Sequence, residues 1–520
     1  MQTPIRQADA HAASIPARRQ LDWLRVAEGA AVAALLAVAV LARRPDWMLN
    51  RSYWLDEGWV ADSLRAPFHQ LLFVSSSTPI GWSLLLRALP RIDAPEYLRL
   101  LPLAFGAASV VPAYLLGRRV GPLVALFAAL GAAVGPVALL PHGLKQYTGD
   151  VFFALLLLSL AARLEADWSE RRLLLLGAVC APAMLISHAT LFVSLALFAA
   201  LALRCVIEWN LPRLARVLGV GAAVGLLHAL AYFTLLSTGD NPAMRRWWQA
   251  YYVPLSQGPG RAVGFIVDHT QQALDTLGLR SSVLALALIV LGLVALARKE
   301  LLAVALSVPL LFVVQIVVAA AGRYPFMDYR TSMFFAVTLS VCAGIGLGAA
   351  VTWLLTRWWT APLALAAAVG AGVLVSPAGA QMHRADMPPS NVRQQVAYVL
   401  AHRQPGDVVV AGYQDVFAFA YYWPDQPTFS PTHYPTAVVF QVDYPGSADV
   451  MVCHENNQAG VDLCLRRAAA NARRVWLVTG GVNWRLWGEA TKALPSARMV
   501  PGPRYPQLID LEAGRASATG

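Results

Sequence analysis

The chain has 520 residues, of which 57% are hydrophobic and only 14% charged, a balance typical of a protein that crosses a membrane several times. This composition argues against a water-soluble enzyme. The net charge of +11 is mostly arginine, since the only lysines are Lys145, Lys299 and Lys492. We interpret the positive charge as loop ends that orient the protein in a lipid bilayer, and we expect no nucleic-acid partner.

Residues 1–26 form a basic leader, which we assign to the cytoplasm, and residues 27–380 form the predicted membrane domain. About eleven apolar runs in this domain are long enough to cross a hydrocarbon core of about 30 Å. They cover residues 27–43, 98–117, 121–141, 147–163, 172–188, 189–206, 215–237, 281–297, 301–320, 332–355 and 361–378. Arginine-rich turns between some runs favour a cytoplasmic side, which predicts that Asp56 and residues 381–520 lie outside a cytoplasmic (inner) membrane.

Asp56 and Glu57 follow the first apolar run and lie in an outer segment. Ionisable groups at a membrane are costly and are therefore functional candidates. A carboxylate there can remove a proton from an attacking group. Because adjacent side chains diverge in a helix or strand, both cannot point into one site. We therefore predict that Asp56 is the catalytic base and that Glu57 orients the loop.

Lys145, Tyr147 and Asp150 lie where the fourth apolar run begins. Tyr147 and Asp150 would share a helix face at a spacing of three residues. Lys145 would lie at the helix N-terminus, where free N–H groups and the helix dipole attract phosphate. The alternative is that these residues only anchor the helix at the membrane interface.

Arg323 and Arg330 flank Pro325 in another outer turn, and Arg99 begins the second apolar run. Guanidinium groups bind phosphate oxygens through two parallel hydrogen bonds, so we predict that these three arginines bind substrate. Alternatively, they extend to the membrane interface without a ligand. Trp247 and Trp248 in the 238–280 loop have a similar ambiguity between interfacial anchoring and stacking on a sugar.

Residues 381–520 alternate between strand and helix patterns, which predicts a soluble α/β domain with strands at Val408–Ala411, Ala437–Gln441 and Val475–Thr479. Cys453 and Cys464 are close enough in sequence to form a disulfide in an oxidising compartment. A metal site that includes His454 lacks the paired ligand spacing of zinc motifs.

Five segments of the chain occur in this order: Tyr53-Trp54-Leu55-Asp56-Glu57, Thr78-Pro79-Ile80-Gly81, Glu96-Tyr97-Leu98-Arg99-Leu100-Leu101-Pro102, Leu144-Lys145-Gln146-Tyr147-Thr148-Gly149-Asp150 and Tyr324-Pro325-Phe326. Together they resemble the GT-C superfamily of integral-membrane glycosyltransferases, and in particular its family-39-like branch, which includes protein O-mannosyltransferases and the aminoarabinose transferase of lipid A. The resemblance covers about residues 27–350.

The resemblance implies inverting transfer of a sugar from a polyprenyl-phosphate donor to a cell-envelope glycan, lipid or protein on the outer face. Asp56 would be the base, and basic residues of later loops would hold the lipid phosphate. Two departures are Gly58, where alanine is common, and Thr78-Pro79, which removes a histidine role. Asp150 is our candidate for the second acidic site. The sequence predicts no particular cofactor, and it neither requires nor excludes a divalent metal.

Two other functions fit the same residues. A flippase or transporter of lipid-linked sugars would need internal repeats or broken paired helices, and the sequence indicates neither. A non-catalytic protein of envelope assembly would use the soluble domain to bind partners, and Asp56 would then be dispensable.

Overall fold

A computed structural model describes residues 15–43, 45–75, 78–135, 143–236, 242–277, 281–356, 391–431, 440–455, 457–479, 484–492, 498–500 and 507–510. The predicted boundary at residue 380, the run at 361–378 and most of the leader lie outside these residues.

The first part of the chain is helical, as its long apolar runs predict. Its α-helices are α1 (Ile15–Ala42), α2 (Pro45–Asn50), α3 (Leu55–Ser63), α4 (Leu71–Val74), α5 (Ile80–Arg87), α6 (Pro95–Ala108), α7 (Val110–Arg118), α8 (Pro122–Val134), α9 (Tyr147–Ala166), α10 (Glu170–Ala183), α11 (Ala189–Ile207), α12 (Leu211–Ala231), α13 (Pro242–Trp247), α14 (Pro259–Asp275), α15 (Ser282–Ala297), α16 (Leu302–Ala320) and α17 (Met333–Thr356).

Five of the described helical stretches are long and apolar enough to cross a membrane: Pro95–Arg118, Ala189–Ile207, Leu211–Leu235, Leu302–Ala320 and Met333–Thr356. Shorter apolar helices cover Val26–Ala42, Pro122–Val134 and Ser282–Ala297. The chain therefore has the helical membrane architecture that its composition predicts. The count of about eleven crossings stays a prediction.

The membrane part has a core of small and medium apolar side chains. Ala128, Ala154, Ala161, Leu197 and Val337 are among its buried residues, on α8, α9, α11 and α17. Small residues allow helices to approach closely where lipid offers no hydrophobic driving force for association. This packing fixes the ends of the helices relative to one another.

The C-terminal part is an α/β unit. Its elements are α18 (Val392–His402), β1 (Asp407–Ala411), α19 (Val416–Tyr422), β2 (Thr428–Pro431), β3 (Phe440–Asp443), β4 (Val450–Val452), α20 (Gln458–Asn471), β5 (Arg474–Val478), α21 (Trp484–Lys492), β6 (Arg498–Val500) and β7 (Gln507–Asp510). The predicted strands at 408–411 and 475–479 correspond to β1 and β5. The third overlaps β3, and its residues 437–439 lie outside the described part.

One sheet has the strand order β4-β1-β5-β7-β6, in which β1 runs parallel to β4 and β5. Strand β7 runs antiparallel to both β5 and β6. Strands β2 and β3 form a separate antiparallel pair. Beside the sheet, Cys453 and Cys464 are disulfide-bonded, with their Cα atoms 6.0 Å apart.

The C-terminal unit packs directly on helix α3. A Cβ atom added to Gly58 would lie 2.4 Å from the backbone nitrogen of Ala418 in α19, so a side chain at residue 58 would collide with backbone. The Trp59 and Phe417 rings stack nearby, with centroids 5.8 Å apart. The Tyr53 amide also donates to the Tyr422 hydroxyl at 3.0 Å. Gly58, a departure from the resembled family, is therefore explained by this close approach.

Candidate active site

Helix α3 places Asp56 and Glu57 in its first turn, after Trp54 in extended conformation. Successive side chains of a helix point in directions about 100° apart, so the two carboxylates face different surroundings. The Asp56 side chain is 15% exposed, whereas the Glu57 side chain is completely buried. The two side chains therefore diverge, as their adjacency predicts, and their catalytic roles stay a prediction.

Two arginines hold Glu57. Arg51 Nη2 donates to Glu57 Oε1 at 2.7 Å, and Arg99 Nη2 donates to Glu57 Oε2 at 3.1 Å. Arg99 also donates to the carbonyl oxygens of Arg51 and Ser52, at 2.7 and 3.2 Å. A buried carboxylate needs such paired charges and hydrogen bonds to offset its desolvation. Glu57 therefore fixes the loop before α3.

Arg99 differs from its expected role in substrate binding. Its side chain is only 1% exposed, and its donors face Glu57 and backbone carbonyls. The Arg99 guanidinium also lies 4.6 Å from the centre of the Tyr53 ring. Sequence reasoning assigned Arg99 to phosphate because a pattern does not show which anion an arginine meets.

Asp56 lies between two cations from distant parts of the chain. Lys145 Nζ is 3.3 Å from Asp56 Oδ1, and Arg330 Nη1 is 3.0 Å from Asp56 Oδ2. The Lys145 and Arg330 side chains are 12% and 16% exposed. The structure thus brings together three of the predicted site residues at a partly open position where an anion can approach.

The two cations respond differently to this environment. Burial lowers the pKa of Lys145, although Asp56 opposes that change. For Arg330, burial also disfavours the charge, but Tyr147, Asp56 and Asp328 together hold its pKa above the ordinary value. Arg330 is therefore a permanent positive charge, whereas Lys145 loses its proton at a lower pH than an exposed lysine does.

Aromatic rings surround the Arg330 guanidinium. The centres of the Trp54, Trp248 and Tyr329 rings lie 5.8, 5.8 and 5.6 Å from its central carbon. Trp54 Nε1 is buried and has no hydrogen-bond partner among the described residues. An aromatic surface with an unused N–H donor suits a sugar ring. Sequence reasoning missed Trp54, although its place two residues before Asp56 was a usable signal.

Asp150 and Tyr147 are buried at the start of α9, with 1% and 8% exposure. Asp150 Oδ1 accepts a hydrogen bond of 3.3 Å from the amide of Ala189, the first residue of α11. A carboxylate at that position satisfies a free N–H group at the helix N-terminus. This contact favours a structural role for Asp150 over the predicted second acidic site.

The remaining predicted cation, Arg323, is exposed. Asp328, in the same turn, is buried and was not selected from the sequence. Its Oδ2 accepts from the amides of Arg330 and Thr331, at 3.2 and 3.0 Å, and from the Thr331 hydroxyl at 3.1 Å. These bonds shape the turn that carries Arg330 to Asp56.

The arrangement around Asp56 does not fit a divalent metal. Among the described residues, no three His, Cys, Asp or Glu side chains converge in a way that could hold one. Both oxygens of Asp56 already face cations, and those of Glu57 face arginines. A metal here would meet positive charge instead of additional oxygen ligands.

Comparison with known proteins identifies the fold. It is the fold of an archaeal oligosaccharyltransferase. The Archaeoglobus fulgidus oligosaccharyltransferase, in complex with zinc and sulfate, is 13% identical with a TM-score of 0.53. The match covers 92% of this chain and 73% of that one. The same organism's AglB, in complex with an inhibitory peptide and a dolichol-phosphate, is 12% identical with a TM-score of 0.52. The match covers 92% and 74% of the two chains.

AglB is a GT-C fold glycosyltransferase, so the GT-C fold predicted from the sequence is confirmed. At 12–13% identity this likeness concerns the fold alone. The family-39-like branch stays a prediction. No protein-family model matches the chain, and no curated protein matches it in sequence.

Proposed function

We propose that this protein is a membrane glycosyltransferase that moves a sugar from a polyprenyl-phosphate donor to a cell-envelope acceptor on the outer face. The observation that carries the proposal is the convergence of Lys145 and Arg330 on the partly exposed Asp56. A base beside two cations suits attack on a sugar whose leaving group is a phosphate. The GT-C fold supports this reading, and so does the dolichol-phosphate bound by AglB.

The reaction needs one proton acceptor and a place for negative charge. Asp56 takes the proton of the acceptor hydroxyl while that oxygen bonds to the anomeric carbon from the face opposite the phosphate. The bond between the anomeric carbon and the phosphate oxygen breaks, and its electron pair leaves with the phosphate. Attack from the opposite face inverts the anomeric carbon.

The ion pairs of Asp56 give the donor a further role. While both cations contact Asp56, each of its two oxygens faces a positive charge. A phosphate that binds Lys145 and Arg330 competes for those contacts, which frees the Asp56 oxygens to approach the acceptor hydroxyl. Donor binding thereby prepares the base. Trp54 and Trp248 would hold the sugar ring between the phosphate and Asp56.

The proposal admits more kinds of acceptor than kinds of donor. The inhibitory peptide bound by AglB favours a protein acceptor, and a glycan or lipid acceptor needs the same hydroxyl chemistry. Incubation of the purified full-length protein with labelled polyprenyl-phosphate sugars and a panel of acceptors tests the proposal. Transfer that requires both substrates is the expected result. If no acceptor in the panel receives sugar, and the protein loses its function only when the C-terminal unit is removed, the result would favour an assembly protein instead.

A further inference from the structure

Trp59 lies on the same face of helix α3 as Asp56, three residues further along the chain. Lys145 Nζ, which is 3.3 Å from Asp56 Oδ1, also lies 5.3 Å from the centre of the Trp59 ring. An ammonium group within about 6 Å of an indole face is attracted by the negative charge of the π system. Trp59 and Asp56 therefore contact the same cation from one face of one helix.

The orientation of the Trp59 ring is set by three further contacts. Trp59 is 4% exposed, and its Nε1 donates to the Val74 carbonyl oxygen at 3.2 Å. The Phe417 ring of α19 stacks on it, with centroids 5.8 Å apart and planes 20° apart. The Phe440 ring of β3 meets it edge-on at 6.0 Å. Two of these three contacts come from the C-terminal unit, so the ring that meets Lys145 depends on the docking of that unit.

The other groups around Lys145 are charged or titratable. Burial lowers the pKa of Lys145, and the Arg330 charge acts in the same direction. Asp56 and Asp328 oppose this change, and His188 lies within range of the Lys145 charge. Among these groups only Asp56 contacts the ammonium directly as an ion pair in the described part of the chain. That ion pair is the contact for which a phosphate competes.

We propose that the C-terminal unit completes the phosphate site by holding Trp59 against Lys145, which makes Trp59 a positioning residue for that cation. The inference rests on the proposed function, because it takes Lys145 as a ligand of the donor phosphate. It goes further in assigning the C-terminal unit a part in donor binding, through the rings of Phe417 and Phe440.

An aromatic ring suits this position because it carries no net charge. A second carboxylate at residue 59 would repel an incoming phosphate, whereas the indole attracts the ammonium without opposing the anion. When the phosphate takes over the contact with Asp56, Lys145 keeps its contact with Trp59. The ring thus holds the ammonium in one place both before and after the donor binds.

The test measures binding of a C10 isoprenyl phosphate to the purified full-length protein by titration calorimetry. Trp59→Leu removes the π face and should weaken binding by about threefold to thirtyfold. Trp59→Phe keeps a ring face without the Nε1 donor and should bind nearly as well as the wild type. Phe73→Leu is the matched control, because Phe73 also meets Phe440 edge-on, at 6.1 Å, but lies on α4.

A double-mutant comparison separates positioning from a general loss of structure. Trp59→Leu should cause no further loss in a Lys145→Ala protein, because the cation on which it acts is gone. The pH profile gives a second measure. Wild-type binding weakens at high pH as Lys145 loses its proton, and Trp59→Leu should move that fall to lower pH, since the ring no longer favours the charged form. Phe73→Leu should leave the profile unchanged.

The outcomes distinguish this inference from the proposed function. Wild-type binding by Trp59→Leu, or an equal loss with and without Lys145, would overturn the positioning role even if sugar transfer is observed. A loss that requires Lys145, with no transfer to any acceptor, would support the role and count against the enzyme. If Trp59→Leu does not fold, Phe417→Leu decides: a smaller loss that requires Lys145 supports the inference, and unchanged binding overturns it.

Discussion

The two ends of helix α3 bury carboxylates in opposite surroundings. In the first turn, Asp56 and Glu57 each meet two cations, at distances of 2.7 to 3.3 Å. In the last turn, Asp62 is completely buried, and neither of its oxygens has a hydrogen-bond partner among the described residues. Burial raises the pKa of Asp62 well above its ordinary value, with only partial opposition from Arg65.

This contrast separates a charged carboxylate from a neutral one on a single short helix. A buried carboxyl without a partner avoids the cost of its charge by keeping its proton. The Asp62 end of α3 packs on the C-terminal unit, where the buried Tyr444 hydroxyl also has no partner in the described part of the chain. The comparison therefore predicts chemistry at one end of α3 and docking at the other.

The largest expected effect is at the charged end. Asp56→Asn keeps the shape of the side chain but cannot accept a proton at neutral pH, so sugar transfer should fall by about 10²–10⁴-fold. Transfer rate and donor affinity are measured together, and donor affinity should survive. Glu57→Gln, whose side chain does not face the partly open position, is the companion variant. Near-normal transfer by Asp56→Asn would show that Asp56 is not the catalytic base.

The cations should matter next. Lys145→Ala or Arg330→Ala should weaken donor binding by about 1.5–3 kcal/mol, because each removes a charge-assisted contact to the phosphate. Arg323→Ala is the matched control, since Arg323 lies in the same turn as Arg330 but is exposed. Binding of a polyprenyl phosphate is the measurement. Equal and small losses in all three variants would mean that these residues only anchor the protein at the interface.

The contact between the middle of α3 and the C-terminal unit gives a third prediction. Gly58→Ala places a methyl group against the Ala418 backbone, and such overpacking typically costs about 1–3 kcal/mol. The C-terminal unit should become more sensitive to limited proteolysis, and transfer should fall because α3 shifts. Gly29→Ala meets no atom within 4 Å and serves as the control. Unchanged proteolysis of Gly58→Ala would argue against this docked arrangement.

The smallest effect is expected at the neutral end. Because the folded-state pKa of Asp62 is raised, its contribution to stability is complete below the ordinary value of 3.8 and is lost as pH rises through the folded-state pKa. Asp62→Asn mimics the protonated acid, so it should change stability little at low pH. It should also flatten the decline at higher pH. Thermal unfolding of both proteins across pH measures this, and identical pH dependence would show that folding does not raise the pKa of Asp62.

Much of the fold could be predicted from local pattern. Long apolar runs indicated the helices that the structure contains, and the period-two and helical patterns after residue 390 indicated the α/β unit. Asp56 and Glu57 were recognisable because charge is rare beside such runs. That they point in different directions followed from their adjacency alone, since neighbouring side chains of a helix diverge. Which of the two is buried did not follow from the sequence.

Only the tertiary structure decided the partners. Asp56 and Arg330 are 274 residues apart, and nothing local distinguishes Arg330, which meets Asp56, from the exposed Arg323 or from Arg99, which meets Glu57. Nothing in the sequence explains glycine at residue 58. The structure gives a reason, because α19, some 360 residues later, packs against it. Local sequence determines which helices form and which faces are apolar. Which side chains meet depends on how those helices pack, and that depends on the summed contacts of the whole chain.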